Sequence, residues 1–368
     1  MAASESKRPD LVTITDVARH AGVAASTVSY VLSAKRAIST ATRERVLASI
    51  ATLGFQPNAG ARALASRRAN VIALVLPLRT GMHLPILMQL MTAVVTGARG
   101  YDHDVLVMTA DEGPAGLRRV ADSSMVDGVV VMDVEMSDPR VPVLRGLGRP
   151  SVLIGFPADA LGLTCVDLDF HGAGARCVEE LVALGHRRIA LLGAPAVVYS
   201  RGTGFAHRTR AGFLAMVETL GVSGVAQPCE EDRASVGSTL RELFRSHTGI
   251  TGIVVHNEAA VEHVMTLLPS MGRQVPGDVS VIAICPDQVA ARTRPALSSV
   301  SIPAEEIGRQ AVALLMAKLA GAAPSDATLL APVLTVRAST GRQAAPDPAQ
   351  HHRGLNRRGA TGQDWSPE

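Results

Sequence analysis

Aromatic residues are scarce in this 368-residue chain, which has one Trp, three Tyr and six Phe, 3% in all. Hydrophobic residues still make up 47% of it, so a sizeable core has to be built from Ala, Val, Leu and Ile. Cysteine is rarer still. Cys165, Cys177, Cys229 and Cys285 stand far apart and form no C-x-x-C pair. That spacing excludes a zinc ribbon or a dithiol redox motif, and no metal site is expected; buried free thiols in a reducing compartment are the natural reading. No apolar run approaches the ~18 residues that a membrane-spanning helix needs. The N-terminus is polar and charged, unlike a secretory leader. A cytoplasmic protein with no membrane partner is expected. Catalytic signatures are lacking too: there is no P-loop, no G-x-S-x-G and no H-E-x-x-H. Gly202 and Gly204 share a short Gly-rich loop without completing G-x-G-x-x-G. The expectation is a non-enzyme with no catalytic residues and no cofactor.

What the chain does have is an uneven charge. Net charge is only +3, but residues 1–68 carry ten Lys/Arg against four Asp/Glu, and the rest is slightly acidic. A basic head on an acidic body points to a polyanionic partner for the head. Within it, Thr15 is the expected N-cap of a first helix, with Asp16 in its first turn. Val17, Ala18 and Ala21 form one apolar stripe, and Gly22 ends the helix. Val23 plugs the corner. A second helix directs Val28, Val31 and Leu32 inward and Ala25, Ser26, Thr27, Ser29 and Tyr30 outward, small or polar groups able to enter a major groove. A third runs from Thr40 to Leu53, with Val46, Ile50 and Leu53 inward and Gly54 closing it. A tight helix–Gly–helix pair also occurs in proteins that never touch nucleic acid; the local basic charge favours DNA.

From Val71 the texture changes to strand-length apolar runs alternating with amphipathic helical stretches. Expected strands are 71–76, 104–108, 128–132, 151–154, 188–192, 252–255 and 279–284. Expected helices are 86–98, 173–184, 210–220, 258–268 and 304–319. Such alternation argues for parallel sheets covered on both faces, and there are enough units for two side-by-side α/β subdomains. The tail, 342–368, is rich in Pro, Gly, His and charge and reads as disordered.

The head residues carry a family resemblance. Thr13-Ile14-Thr15-Asp16-Val17-Ala18, Ala21-Gly22-Val23, Ser26-Thr27-Val28-Ser29 and Val31-Leu32 are followed by Thr42-Arg43, Arg45-Val46, Gly54-Phe55-Gln56-Pro57-Asn58 and Ala61-Arg62-Ala63-Leu64. This series resembles the lactose/galactose-repressor (LacI/GalR) family of transcriptional regulators. In the body, Val166-Asp167, Gly172-Ala173, Leu184-Gly185-His186-Arg187-Arg188, Val275-Pro276-Gly277-Asp278 and Pro303 resemble the effector domain of the same family, which is similar to periplasmic sugar-binding proteins. The resemblance implies an all-α helix-turn-helix head, 1–56; a hinge helix and linker, 57–70; and an α/β effector-binding and dimerisation body, 71–341, made of two parallel-sheet subdomains.

It also implies partners and site residues. Operator DNA would be read by Ala25, Ser26 and Tyr30 at base edges, with Thr15, Thr27, Ser29, Ser39 and Thr42 on phosphates. The hinge would supply Asn58, Ala61, Arg62 and the minor-groove wedge Leu64. With Gly60 inside it, so short a helix would fold only on DNA. The protein would be a homodimer, or a tetramer, answering to a small effector such as a sugar or related metabolite. Leu78, Phe156, Arg208, Arg210, Asn257 and Cys285, at strand ends, are the expected effector contacts. Departures from the family are visible. Ala24 replaces a Ser cap, and Tyr30 replaces an Arg that can make a bidentate guanine contact. In the pocket, Glu258 and Cys285 stand where Asp is usual. Loss of those Asp side chains makes an ordinary hexose less secure and opens the pocket to a less polar or anionic effector, or to none.

Overall fold

The computed structural model describes residues 12–33, 36–55, 68–123 and 125–343. Asn58, Ala61, Arg62 and Leu64 of the expected hinge, and the tail from 344 onward, lie outside them. The chain divides into two compact units, Met1–Asn70 and Val71–Glu368.

Among its described residues the first unit holds three helices, α1 (Ile14–Ala21), α2 (Ala25–Ser33) and α3 (Thr40–Leu53). The cap of α1 is Thr13 rather than Thr15. A reciprocal cap needs an acid three residues after the capping residue, and Asp16 stands in that relation to Thr13. Thr13 N–H donates to the Asp16 carboxylate at 3.0 Å and Asp16 N–H donates to Thr13 Oγ1 at 3.4 Å. Gly22 (φ +63°) and Gly54 (φ +61°) end α1 and α3 in the left-handed region, as expected. Ser39 caps α3, accepting from Thr42 N–H at 3.4 Å. Val17, Ala18, Ala21, Val28, Val31, Val46 and Phe55 form the core. Leu32, expected inside, is 36% exposed. The stripe that α2 buries ends at Val28 and Val31 and leaves Leu32 on its edge.

The second unit contains two six-stranded sheets. The first is built from β1 (Val71–Val75), β2 (Asp104–Met108), β3 (Gly128–Val131), β4 (Ser151–Ile154), β5 (Thr164–Leu168) and β11 (Ala327–Leu330), in spatial order β11-β5-β4-β3-β1-β2 and parallel throughout. The second holds β6 (Arg188–Gly193), β7 (Ser223–Pro228), β8 (Gly252–Val255), β9 (Ser280–Ile284), β10 (Ser298–Val300) and β12 (Leu334–Thr335), ordered β12-β10-β9-β8-β6-β7. Only its edge strand β12 runs antiparallel. The chain crosses between sheets three times: after β5, after β10, and between β11 and β12.

The seven expected strands are present. The five not anticipated are β5, the edge strands β7, β11 and β12, and the three-residue β10; the edges are half-exposed, β10 is short, and Thr164 and Asp167 interrupt the apolar run of the buried β5.

Helices cover the sheets: α4 (Leu84–Arg99), α5 (Gly113–Asp122), α6 (Arg140–Gly146), α7 (Phe170–Ala183), α8 (Ala196–Ser200), α9 (Gly204–Thr219), α10 (Arg233–Ser246), α11 (Glu258–Ser270), α12 (Asp287–Arg292) and α13 (Ala304–Leu319). The five helices expected from periodicity are α4, α7, α9, α11 and α13. Residues from both sheets, α4, α7, α9 and α13 share one core cluster, including Leu74, Val94, Leu181, Phe213, Ile282 and Leu315. Helices α7 and α9 approach closely enough for backbone to meet backbone. A Cβ added at Gly212 would fall on the His171 carbonyl, and one at Gly174 on the Thr209 carbonyl. Neither obstacle is a side chain that can swing away. Gly212→Ala is therefore expected to lower the unfolding free energy by about 1–3 kcal/mol, the usual cost of overpacking. Gly146→Ala, with nothing within 4 Å of the added carbon, is expected to stay within about 0.5 kcal/mol of the parent. Urea titrations followed by circular dichroism compare the two.

Candidate functional site

Two surfaces carry functional geometry, one in each unit. In the first unit, α2 turns Val28 and Val31 into the core, which leaves the opposite face free. Ala25, Ser26, Ser29 and Tyr30 are exposed on it, as are Thr15 on α1 and Ser39 before α3; Thr27 and Thr42 are half-buried. The Arg36 guanidinium lies over the Tyr30 ring, 5.9 Å from its centroid. Side chains that reach outward from a short helix without touching its core suit a groove rather than a partner's apolar face. Ser39 is already engaged, with its hydroxyl donating to Thr42 Oγ1 at 2.9 Å. Ala24 supplies no side-chain cap to α2; its carbonyl accepts from the amides of Thr27 and Val28.

In the second unit, a cavity of about 120 Å³ opens where the carboxyl ends of both sheets meet. The first sheet contributes Asp133 beyond β3, Gly155 beyond β4 and Asp167 near the end of β5. The second contributes Ala194 beyond β6, Glu231 beyond β7, and His256, Asn257 and Glu258 beyond β8. Ile86, Leu87 and Leu90 of α4 form an apolar wall. Phe170, Phe205 and His256 meet as a ring cluster with centroids 5.6 Å apart. His256 is 2% exposed. Burial draws its pKa down to about 4, so the ring is neutral at pH 7, and its Nδ1 has no hydrogen-bond partner.

The cations and amides here are committed to protein atoms. Arg201 donates to the Thr80 carbonyl at 3.1 Å and lies 3.8 Å from Asp133. Asp133 also pairs with Arg79 at 3.1 Å, and Arg79 reaches Glu135 at 2.6 Å and Asp111 at 2.8 Å. Asn257 donates to the Cys229 carbonyl at 2.7 Å and caps α11 by accepting from Ala259 N–H at 3.2 Å. The carboxyls of Asp167 and Glu258 are different. Burial pushes each up to about 7; the Asp167 carboxylate accepts only its neighbour's N–H, from Leu168, and repulsion from Glu231 raises Glu258 further.

Of the six residues expected to contact an effector, Asn257 lines this cavity and the other five do not. Leu78 is exposed. Phe156 lies under the Arg208 guanidinium at 5.8 Å, and Arg208 is held by the Phe156 and Pro157 carbonyls at 3.4 and 2.8 Å. Arg210 covers the Tyr199 ring at 5.9 Å. Cys285 is wholly buried in the core of the second sheet, where burial pushes its thiol up to about 12. The expectation of a carboxylate-poor pocket is reversed: Asp133, Asp167, Glu231 and Glu258 all line it. The strand-end rule should have found Asp133 and His256, since each follows a strand legible in the sequence. Asp167 was missed along with its strand. Arg201 and Glu231 follow no apolar run and carried no signal.

Residues 13–58 match the model of the bacterial regulatory proteins, lacI family, and residues 178–340 match a periplasmic binding protein-like domain. The chain is 28% identical over 331 residues to the HTH-type transcriptional regulator CelR of Thermobifida fusca, covering 84% of this chain and 92% of that protein. It is 34% identical over 191 residues to AglR of Rhizobium meliloti (strain 1021), another HTH-type transcriptional regulator, covering 50% and 53%. Among solved structures, a complex of the transcriptional regulator CelR with cellobiose superposes with a TM-score of 0.63 at 26% identity, covering 89% of this chain and 99% of that one. A Lac repressor dimer bound to operator and the anti-inducer ONPF shares the fold, with a TM-score of 0.78 at 23% identity and coverage of 90% and 99%. With this head and this body in one sequence, the chain belongs to the LacI family of HTH-type transcriptional regulators.

Proposed function

We propose that the protein acts in the bacterial cytoplasm as a homodimeric repressor, whose grip on a two-fold operator is set by a small metabolite in the cavity between the two sheets. The observation that carries this reading is the position of that cavity. It is walled by loops from both sheets, and those sheets are joined by only three crossings. A ligand there that binds one disposition of the sheets better than another shifts the balance between them, a coupling of about 1–3 kcal/mol in typical allosteric proteins. The CelR–cellobiose complex supports a sugar-sized metabolite as the occupant. The Lac repressor–operator dimer supports the DNA-bound arrangement. The exposed face of α2 reads bases through Ala25, Ser26 and Tyr30; Thr15, Thr27, Ser29, Ser39 and Thr42 serve phosphates. Asn58, Ala61, Arg62 and the wedge Leu64 complete the contact from the hinge.

A second copy is the natural cover for one surface. Leu84, Met88 and Val95 are exposed along α4 at spacings of four and seven, which places them on one helix face. A monomer rarely leaves such a stripe to water without a partner. Pairing two chains places two heads on a pseudo-palindrome.

Selection of bound duplexes from a random library, using the full-length protein with and without added sugars, tests the whole reading. A pseudo-palindrome with a central pyrimidine–purine step is expected; no palindromic enrichment under any condition overturns it. Tyr30→Ala should relax one position of each half-site, by about 1–3 kcal/mol if the phenol reads a base. The double substitution Leu84→Lys, Met88→Lys should yield a folded monomer in sedimentation velocity, with the parent's circular dichroism spectrum and lost operator binding. Dimers that persist would place the interface elsewhere.

A further inference from the structure

The cavity offers a ligand an unbalanced set of partners. Its uncommitted charged groups are the carboxyls of Asp167 and Glu258, one from each sheet, with Glu231 close enough to repel Glu258. The cationic and amide donors of the wall are engaged elsewhere, which leaves the imidazoles of His83 and His256 as its remaining polar side chains. Arg201 is held by Thr80, Thr203 and Asp133, and Asn257 by Cys229. Arg208, the cation whose charge reaches Asp167, is spent on the Phe156 and Pro157 carbonyls. The rest of the wall is hydrocarbon and aromatic. A neutral polyol presents each hydroxyl as donor and acceptor together, so most of its lone pairs would go unmatched here, with two imidazoles as the side-chain donors left. An ammonium has three donors and no acceptor. It pairs with the carboxylates that Asp167 and Glu258 present once ionised, and an apolar body complements Ile86, Leu87 and Phe205.

A second observation points the same way. His256 is 2% exposed, lines the cavity, and leaves Nδ1 without a partner. Buried polar atoms are rarely left unpaired in a finished site. The neighbouring ring stack with Phe170 and Phe205 supplies the π faces that attract a cation. Taking the cavity as the effector site, as proposed above, we infer that its ligand carries a primary ammonium group seated between Asp167 and Glu258. An amino sugar and an apolar amine share that chemistry.

Protonation adds a signature. Both carboxyls sit at about 7 in the folded protein, against an ordinary value near 4. The empty protein therefore loses stability as pH rises from about 4 to about 7, because the unfolded chain gives up these protons first. An ammonium selects the ionised carboxylates and releases the protons they still hold. Its affinity should rise with pH through about 7. Burial draws His83 and His256 down and Asp133 is paired with Arg79, so a rise in affinity through about 7 belongs to Asp167 and Glu258 rather than to them.

Isothermal titration of the full-length protein tests this with two matched pairs, 2-phenylethylamine against 2-phenylethanol and glucosamine against glucose. At least one amine should bind about tenfold more tightly than its alcohol, as expected of charge-assisted pairing. The pair that responds identifies the source, an apolar amine or an amino sugar. If the responder is 2-phenylethylamine, which stays protonated throughout, its affinity should rise between pH 6 and pH 8. Asp167→Asn and Glu258→Gln should each erase the preference for the amine, and each should flatten the pH dependence of the unfolding midpoint. The inference is overturned if neither amine outbinds its alcohol, or if both variants keep the preference. An alcohol that binds equally well and shifts operator affinity would leave the effector site standing and remove the ammonium. An amine that binds without moving operator affinity would do the reverse.

Discussion

Strand direction is the constraint on which the rest of the body depends. In a parallel sheet every carboxyl end lies on the same edge, because each strand must be followed by a crossover that returns the chain to the opposite edge. Two such sheets, linked by three crossings, bring their carboxyl edges to one place. The loops after β3, β4, β6, β7 and β8, with the end of β5, therefore converge on a single cavity. The strands supply mostly hydrocarbon, so apart from Asp167 on β5 the polar groups enter at the loops and helix starts. The close approach of α7 and α9 at Gly174 and Gly212 locks the connection after β5 against the second sheet's helices.

Electrostatics in that cavity follow from which charges found partners first. The guanidiniums of Arg79, Arg201 and Arg208 are drawn to carboxylates and backbone carbonyls within the protein. A charge already satisfied contributes little to a ligand. Asp167 and Glu258 found no cationic partner in contact, and burial is the largest influence on both. An unpaired carboxyl in an apolar wall is costly unless it is protonated or paired by something that arrives later. Such a site selects ligands by complementary charge more than by shape.

The head follows another logic. Six Ala and Val side chains and Phe55 hold its three described helices, so little surface is left over for anything but caps and contacts. Ser39 serves its own helix, and Thr13 together with Asp16 fixes the start of α1. The outward face of α2 keeps only groups that the core cannot use.

Much of this was legible in the sequence. Local rules acting over a few residues, a glycine with positive φ after a helix or an apolar run of strand length, placed the three head helices among the described residues, seven of the strands and five of the body helices. Head motifs with fixed spacing gave the family, because the motif residues lie close together along short helices. The cap at Thr13 was misassigned within that local range, since both Thr13 and Thr15 are good capping residues and only the partner Asp16 decides between them. The cavity was not legible. Its walls come from residues between 81 and 307, and whether a strand-end residue faces it depends on how the following loop turns. Cys285 and Asn257 both follow apolar strands, yet one is sealed in the core and the other faces the cavity. The sequence by itself determined a basic helical reader joined to an α/β body, since periodicity and charge are local properties. Only the tertiary structure decided which charges meet in the cavity and which are spent beforehand, because pairing depends on distances between residues that the chain keeps far apart.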